Sequence, residues 1–529
     1  MNTLRLIFVP ALLSLIVLAA IWFTGIPLGI PGEWVWDRVG PPDDWLLTIL
    51  FAGIWGLIYF AFVWAGDGRM AGCRSFEANL WLCGLVLAGF GWLWVAQDAA
   101  PAGYRHSKSA WVLFYPASSG YFQLARDHDR DFDQFLRDYE KLMAEGDVLH
   151  VGTHPPGLAM AYHGLIRVCR ASPGLCALLR STEPAAMSDA LDMIARNHAG
   201  TPQALRAEHR GTIWLAALLT QLAAAATVVP LFLLIRRDFT RQTAWLAVSL
   251  WPAVPALALF LPKSDVLYPL LGVLLWYFWL TGWEERSTWR SVLAGTTLLI
   301  GLCLSLALIP VWVGLGVITL WRGWFCDPEE RVPDATSKLW FAKSWAAVGF
   351  LVPAVGLWWF KGVNLLAVWI WNYRNHAGFY AEYPRTYWKW LAVNPLEFCI
   401  AAGIPLACAA LWGGWRIVSP QRRSRRAGLV WTCLIVGGLL WISGKNMGEL
   451  ARLWILLMPP LVWLAAGALP ADNEPMSPPD RSRWAAIFVL QLAVAIAMLM
   501  RVHGFHIPET VAADEIARSR VSAQPEQPS

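Results

Sequence analysis

Lys263 and Asp265 interrupt an apolar run, Leu-Ala-Leu-Phe-Leu-Pro-Lys-Ser-Asp-Val-Leu-Tyr-Pro, where charge is costly. A lone charge at bilayer depth costs a few kcal/mol or more, so such residues line a cavity or a pathway. Four other polar segments carry comparable chemistry. Ser443-Gly-Lys445-Asn-Met-Gly-Glu449-Leu-Ala-Arg452 joins two apolar runs. Its cations suit an anionic head group at a helix start, and Glu449 with Arg452, at i and i+3, also suit a mutual pair. Residues 364–397 interleave Arg374, His376, Arg385 and Lys389 with Tyr373, Tyr380, Tyr383, Tyr387 and Trp388. Arginine forks onto phosphate and aromatic faces stack on sugar rings; an aromatic membrane belt with snorkelling cations has the same composition. Asp147-Val-Leu-His150-Val-Gly-Thr-His154-Pro-Pro-Gly157 sets two histidines before a helix start, either as phosphate or proton ligands or as turn residues. Asp98 ends an apolar run and is either a general base or an ordinary solvated helix-end carboxylate.

The elements that position these residues are membrane helices. The chain is 57% hydrophobic and 15% charged, with a mean hydropathy of +0.45. Apolar runs at 5–24, 45–65, 78–97, 212–235, 243–262, 266–283, 341–360, 395–415, 428–443, 450–468 and 484–501 are each long enough to cross the hydrocarbon core. The run 291–321 is long enough for two helices, with Gly301 and Pro310 as places to break it. The expected fold is therefore an all-α polytopic transmembrane bundle of about thirteen spans, with a large helical first external loop. Residues 1–97 form N-terminal membrane helices, 98–210 the loop, 211–502 the main bundle, and 503–529 a disordered tail. The first apolar run has no small-residue cleavage site after it and reads as an uncleaved anchor.

Charge placement orients the bundle. Arg236, Arg237 and Arg241 fill one short loop; Arg416, Arg422, Arg423, Arg425 and Arg426 fill another; Arg322, Arg331, Lys338 and Lys343 flank a third. The positive-inside rule makes these loops cytoplasmic. Counting helices then sends Lys263–Asp265, 361–393 and 444–449, and, with the N-terminus inside, 98–210, to the opposite, external face of a cell (inner) membrane. Residues 155–169 are too short and polar to span, and read as a juxtamembrane helix within that loop. In the loop, Phe135, Leu136, Tyr139 and Leu142 recur at helical spacing behind Asp127, Asp129, Asp131 and Asp133, which suggests an amphipathic helix on the membrane surface. The acids lack the glycine and terminal glutamate of a calcium loop. Cys169 and Cys176 stand close enough in sequence for an external disulfide. The 35 tryptophans suit membrane interfaces. No Walker A or dinucleotide fingerprint is present, which argues against an ATP-driven pump, and nothing points to nucleic acid.

Thr153-His154-Pro155-Pro156-Gly157, Arg236-Arg237, the Lys263–Asp265 turn, and Gly444-Lys445-Asn446 with Glu449 and Arg452 together resemble the GT-C class of polytopic membrane glycosyltransferases. The likeness is closest to the polyprenyl-phosphate-sugar-dependent protein mannosyltransferase and aminoarabinose-transferase branch, and it covers roughly 80–465. It implies a polyprenyl-phosphate-linked sugar as donor, a glycan, lipid or protein acceptor, and transfer on the external, periplasmic face. It requires no cofactor and is compatible with a divalent cation; no metal ligands are assigned. That class carries an acidic residue, often Asp-Glu, before a tyrosine-containing helix in the first loop. Here the comparable stretch is Ala117-Ser118-Ser119-Gly120-Tyr121, without a carboxylate. Asp98 is accordingly assigned as base, with His150, His154, Lys263, Asp265, Arg374, Arg385, Lys445, Glu449 and Arg452 as donor-binding residues. A membrane transporter or flippase coupled through Lys263 and Asp265, and a non-catalytic scaffold of the same class, are the alternatives.

Overall fold

A computed structural model describes residues 3–149, 151–419, 422–470 and 477–507. It is an all-α multi-pass bundle. Among the described residues, eight helices are long and apolar enough to cross a membrane, from Trp45–Met70 to Pro478–Leu499. The pair Tyr387–Ala402 and Ile404–Val418 adds a ninth if counted as one span. Four further expected spans correspond to shorter apolar helices, Ile7–Phe23, Thr288–Leu304, Ala427–Ile442 and Ile455–Ala466. By length and composition, eight or nine elements among the described residues are able to cross, and the expected thirteen spans are not shown. The run 291–321 does hold two helices, which part at 305–307, between the glycine and the proline that suggested a break.

Arg241–Phe260 is the buried centre of the bundle, whereas Trp45–Met70 turns Leu46, Leu50, Ile54 and Leu57 outward, as a lipid-facing helix does. Many tryptophans pack inside rather than at an interface. Trp92, Trp214, Trp245, Trp251, Trp283 and Trp390 are fully buried. Each indole N–H finds an oxygen: Trp245 donates to the Val63 carbonyl (2.9 Å) and Trp251 to that of Ala224 (2.8 Å). An amphipathic ring with one donor is safely buried only when that donor is used.

The expected span 395–415 starts earlier and is bent. Its helix begins at Tyr387 and carries Pro395 inside it; Pro395 is not its start. At Gly403, with φ of +89°, the chain turns by 104°. The turn strips backbone groups of helical partners, and inside a bilayer those groups must be satisfied by protein. Gln491, fully buried on the last helix, does this. Its Nε2 donates to the carbonyls of Ala402 (2.8 Å) and Ala253 (3.1 Å), and its Oε1 accepts from Leu406 N (3.1 Å). A Cβ at position 403 would fall on the Gln491 amide, so the glycine is also a steric requirement.

The segment 98–210 folds into six short helices, including Phe132–Ala144 and Gly157–Ala171. The apolar face of Phe132–Ala144 does not lie open to a membrane surface. Phe135, Leu136, Tyr139 and Met143 are buried with Leu365 and Val368 of the helix Leu365–Glu382. Its acids take cationic partners: Asp129 pairs with Arg170 (2.5 Å) and Asp133 with Lys361 (2.7 Å). Cys169 and Cys176 are free thiols, and the Cys176 thiol donates to the Cys169 carbonyl (3.2 Å).

The chain ends differ most from expectation. Residues 503–507, assigned to a disordered tail, are ordered: Val502–His503 pairs antiparallel with Asp37–Arg38, and Ile507 N bonds the Tyr104 hydroxyl (3.4 Å). The rest of that tail, 508–529, lies outside the described residues. A strap, 24–44, leads from the first helix to the second; its hairpin pairs Gly29–Ile30 with Trp34–Val35. The first helix and this strap are integrated parts of the bundle.

Candidate functional site

The site is built where the buried helix Arg241–Phe260 ends. Pro262 stops the helix, a 3₁₀ turn spans Ser264–Val266, and Tyr268–Glu284 starts with Pro269 in its first turn. The last carbonyls of the first helix are held by a lysine from the loop. Lys108 Nζ donates to Ala258 O (2.7 Å) and Leu259 O (3.5 Å), a cation placed at a helix C-terminus. Burial pushes its pKa down to about 7.

Lys263 follows, 5% exposed, with its ammonium donating to the Ser118 carbonyl. Among the described residues no carboxylate lies within 4 Å of it. Burial, and then the charge of Arg452, push its pKa down to about 7, against the opposing pull of Asp265 and Glu449. This is an ammonium in a low-dielectric wall with one neutral acceptor and unused donor capacity.

Arg452 approaches from the 444–452 loop. Gly444, Asn446, Gly448 and Glu449 all have positive φ there, so the loop is tightly coiled before the short helix Leu450–Leu453. Arg452 Nη2 pairs with Glu449 at 2.5 Å, and its Nε stands 3.9 Å from Asp265 Oδ2. The i, i+3 pair anticipated from spacing is therefore made, and Arg452 also bridges to Asp265. Behind it, Glu397 Oε1 accepts from Ala451 N (3.0 Å) and Trp36 Nε1 (3.2 Å), fixing the start of that helix. Tyr268 and Tyr121 complete the wall: the Tyr268 hydroxyl meets Ser264 Oγ at 3.2 Å, and Tyr121 senses both Asp265 and Arg452.

His154 joins through Tyr121, the two ring centroids being 5.6 Å apart. Its carbonyl accepts from Tyr139 (2.9 Å) and its Nδ1 lies 3.1 Å from Thr153 Oγ1. The Pro-Pro-Gly that follows has a packing reason. A Cβ at Gly157 would sit 2.3 Å from the Cys303 carbonyl, so only glycine lets this turn seat on the helix Thr288–Leu304. His150 lies outside the described residues.

The remaining candidates divide. Arg385 donates to the Glu33 carbonyl, and the Glu33 carboxylate accepts from Thr386 N (2.9 Å), Thr386 Oγ1 (2.6 Å) and Trp390 Nε1 (2.7 Å). Lys445 lies over the Tyr373 ring (5.1 Å), and Met447 N donates to the Tyr380 hydroxyl (2.8 Å). These contacts tie 373–390 to the Lys445 loop and to the strap. Arg374 rests on Trp371 of its own helix (5.2 Å) and has no contact with Lys263, Asp265 or Arg452. Asp98 is likewise not a direct partner of Lys263 or Arg452. Its Oδ1 stands 3.4 Å from His106 Nε2, and its side chain is 39% exposed. His106 is buried against Trp94, ring centroids 4.5 Å apart.

The structure thus brings Lys263, Asp265, Glu449, Arg452 and His154 together, with Lys445 and Arg385 linked through a shared loop. Sequence reasoning missed Glu33, His106, Lys108, Tyr121 and Tyr268. Among the described residues, no group of three or more His, Cys, Asp or Glu side chains gathers as a metal site. Chemically, a buried lysine and a largely buried arginine flanked by phenols can hold an anion, and nearby carboxylates can accept a proton. No protein-family model matches the chain, and neither does any curated protein or solved structure.

Proposed function

We propose that this protein is a membrane glycosyltransferase that moves a sugar from a polyprenyl-phosphate donor to an acceptor hydroxyl on the outer face of the cell membrane. One observation carries the reading: Lys263 is buried, with no carboxylate within 4 Å among the described residues, beside Arg452, at one end of a helix bundle. A buried ammonium without a counter-ion is costly, and an incoming phosphate would supply one. In this reading Lys263 and Arg452 hold the donor phosphate and offset the charge of the departing polyprenyl phosphate. Asp265 and Glu449 keep Arg452 in place, and Lys445 and Arg385 shape the rim. The acceptor oxygen attacks the anomeric carbon, the bond from that carbon to the phosphate oxygen breaks, and the acceptor proton passes to Asp98. Asp98 Oδ2, the oxygen that His106 does not face, receives it. The prenyl chain runs along the apolar helices below. With the bent pair and the four shorter helices counted, the chain crosses thirteen times, the arginine-rich loops face the cytoplasm, and the site faces the periplasm.

The test is incubation of purified protein with radiolabelled polyprenyl-phosphate sugars and a cell-envelope extract. Label should pass to an acceptor with wild type and fall at least about tenfold with Arg452→Ala. Absence of transfer from every donor tried would end the enzymatic reading. Thiol labelling of Lys263→Cys, Arg374→Cys and Lys445→Cys from the same compartment is required as well.

A further inference from the structure

The opposite, arginine-rich end of the bundle holds a groove of about 770 Å³ that the donor site does not use. Arg416, near the end of the helix Ile404–Val418, stands at its head. Arg416 spends one nitrogen on protein: Nη1 donates to the carbonyls of Ala468 (2.8 Å) and Leu469 (3.0 Å). Its Nε and Nη2 edge is left over, the edge that forks onto a phosphate. Among the described residues Arg416 has no carboxylate within 4 Å. The other charges at the head, Arg483 and Asp480, pair with each other at 2.9 Å. Among the described residues the groove head therefore presents one cation, Arg416, without a carboxylate of its own.

Its body is apolar. Trp412 and Trp415 stack 4.8 Å apart at the mouth, and Trp415 is 59% exposed, as an interfacial indole would be. Cys408, Leu250 and, from the first helix, Leu13 also line it. From Arg416 to Cys408 the helix rises by about 12 Å, room for the upper part of an acyl chain. A head with one uncompensated cation, tryptophans at the mouth and an apolar trough beneath match a two-part molecule. We infer that this groove binds a membrane phospholipid with an anionic head group, its phosphate on the free edge of Arg416 and one acyl chain between the first helix and Ile404–Val418. The site is independent of the proposed transfer chemistry and lies at the other end of the membrane helices. Anionic lipids concentrate where juxtamembrane arginines do.

Cys408 lines the groove and reports on its occupancy. The full chain in detergent is alkylated with a maleimide, and Cys408 is followed by peptide mass spectrometry, with Cys433 as a reference thiol that lies away from the groove. Added phosphatidylglycerol should slow Cys408 at least about tenfold relative to phosphatidylcholine, and Arg416→Ala should abolish that protection with Cys433 unchanged. If Arg416→Ala also exposes Cys433, Arg416→Lys is read in its place, and protection must fall at least about threefold because the fork is lost. Equal protection by both lipids, protection by inorganic phosphate alone, or protection that survives both Arg416 variants would overturn the inference.

Discussion

Replacing Lys263 by methionine should separate a binding lysine from a structural one, because the two roles predict opposite signs. The ammonium is buried, and its pKa falls from 10.5 to about 7, first through burial and then through Arg452. That displacement corresponds to a handicap on the charged form on the order of 5 kcal/mol. Lys263→Met removes the handicap, keeps the chain length of the packed stem, and leaves the Ser118 carbonyl without its donor, a loss of about 1–3 kcal/mol. The variant should therefore unfold at higher temperature than wild type near pH 6.5, by the equivalent of a few kcal/mol. The sign with pH follows from linkage. The folded-state pKa lies below the unfolded one, so between about pH 7 and 10.5 the unfolded chain holds a proton that the folded chain has released. Wild-type stability rises across that window, and its deficit against Lys263→Met should shrink between pH 6.5 and 9.5. Donor binding should move the other way, weakening about 10–150-fold as one charge-assisted contact to phosphate is lost. Thermal unfolding in detergent at the two pH values, with polyprenyl-phosphate binding by the same preparations, makes the comparison. A variant that is less stable than wild type at both pH values yet binds the donor normally would refute the assignment of Lys263.

Three further substitutions probe other parts of the argument. Asp98→Asn should cut transfer at least about a hundredfold while donor affinity stays unchanged, measured by single-turnover transfer and by binding. Glu284→Gln should cost about 3–5 kcal/mol of stability without touching donor binding, because Arg237 (2.6 Å), Arg322 (3.0 Å) and Arg425 (2.5 Å) all lean on that one carboxylate. Gln491→Leu should lower thermal stability by about 2–4 kcal/mol, since the carbonyls of Ala253 and Ala402 and the Leu406 N–H lose their partner at the 104° bend.

What the sequence made legible was whatever depends on local composition. Apolar runs located the membrane helices, and the 291–321 run was long enough to demand two. The helical spacing of Phe135, Leu136 and Tyr139 placed the helix Phe132–Ala144. Its covering was not legible, because Leu365 and Val368 come from more than two hundred residues downstream. The bend at Gly403 was hidden for the same reason: 395–415 is apolar on both sides of the glycine, and the amide that makes the bend tolerable is Gln491. Glu33 has no local signal at all, since Thr386 and Trp390 are its reason to exist. Lys263, Asp265 and the Glu449–Arg452 pair were visible because charge in apolar surroundings stands out wherever it occurs. His106 was not visible, because its relation to Asp98 depends on how the chain turns after the helix Ser75–Asp98.

One helix measures the difference between a structural charge cluster and a binding one. Between Asp265 and Glu284 the chain rises by about 28 Å, close to the thickness of a hydrocarbon core, so charge stands just beyond each end of the same apolar segment. At the Glu284 end, Arg322 is fully buried and reaches both Asp238 (2.7 Å) and Glu284 (3.0 Å), while Arg237 and Arg425 close on Glu284 from either side. An anion could enter there only by breaking contacts already made. At the Asp265 end, Arg452 is drawn to Glu449 but stands 3.9 Å from Asp265, and among the described residues Lys263 has only a neutral carbonyl as partner. Both ends bear the desolvation of their charges and recover part of it through internal pairs, but among the described residues only the Asp265 end keeps a buried cation, Lys263, with no carboxylate within 4 Å. The less compensated end is the one where a ligand phosphate would lower the free energy of the protein, and that asymmetry is the argument for the proposed donor site beside Lys263.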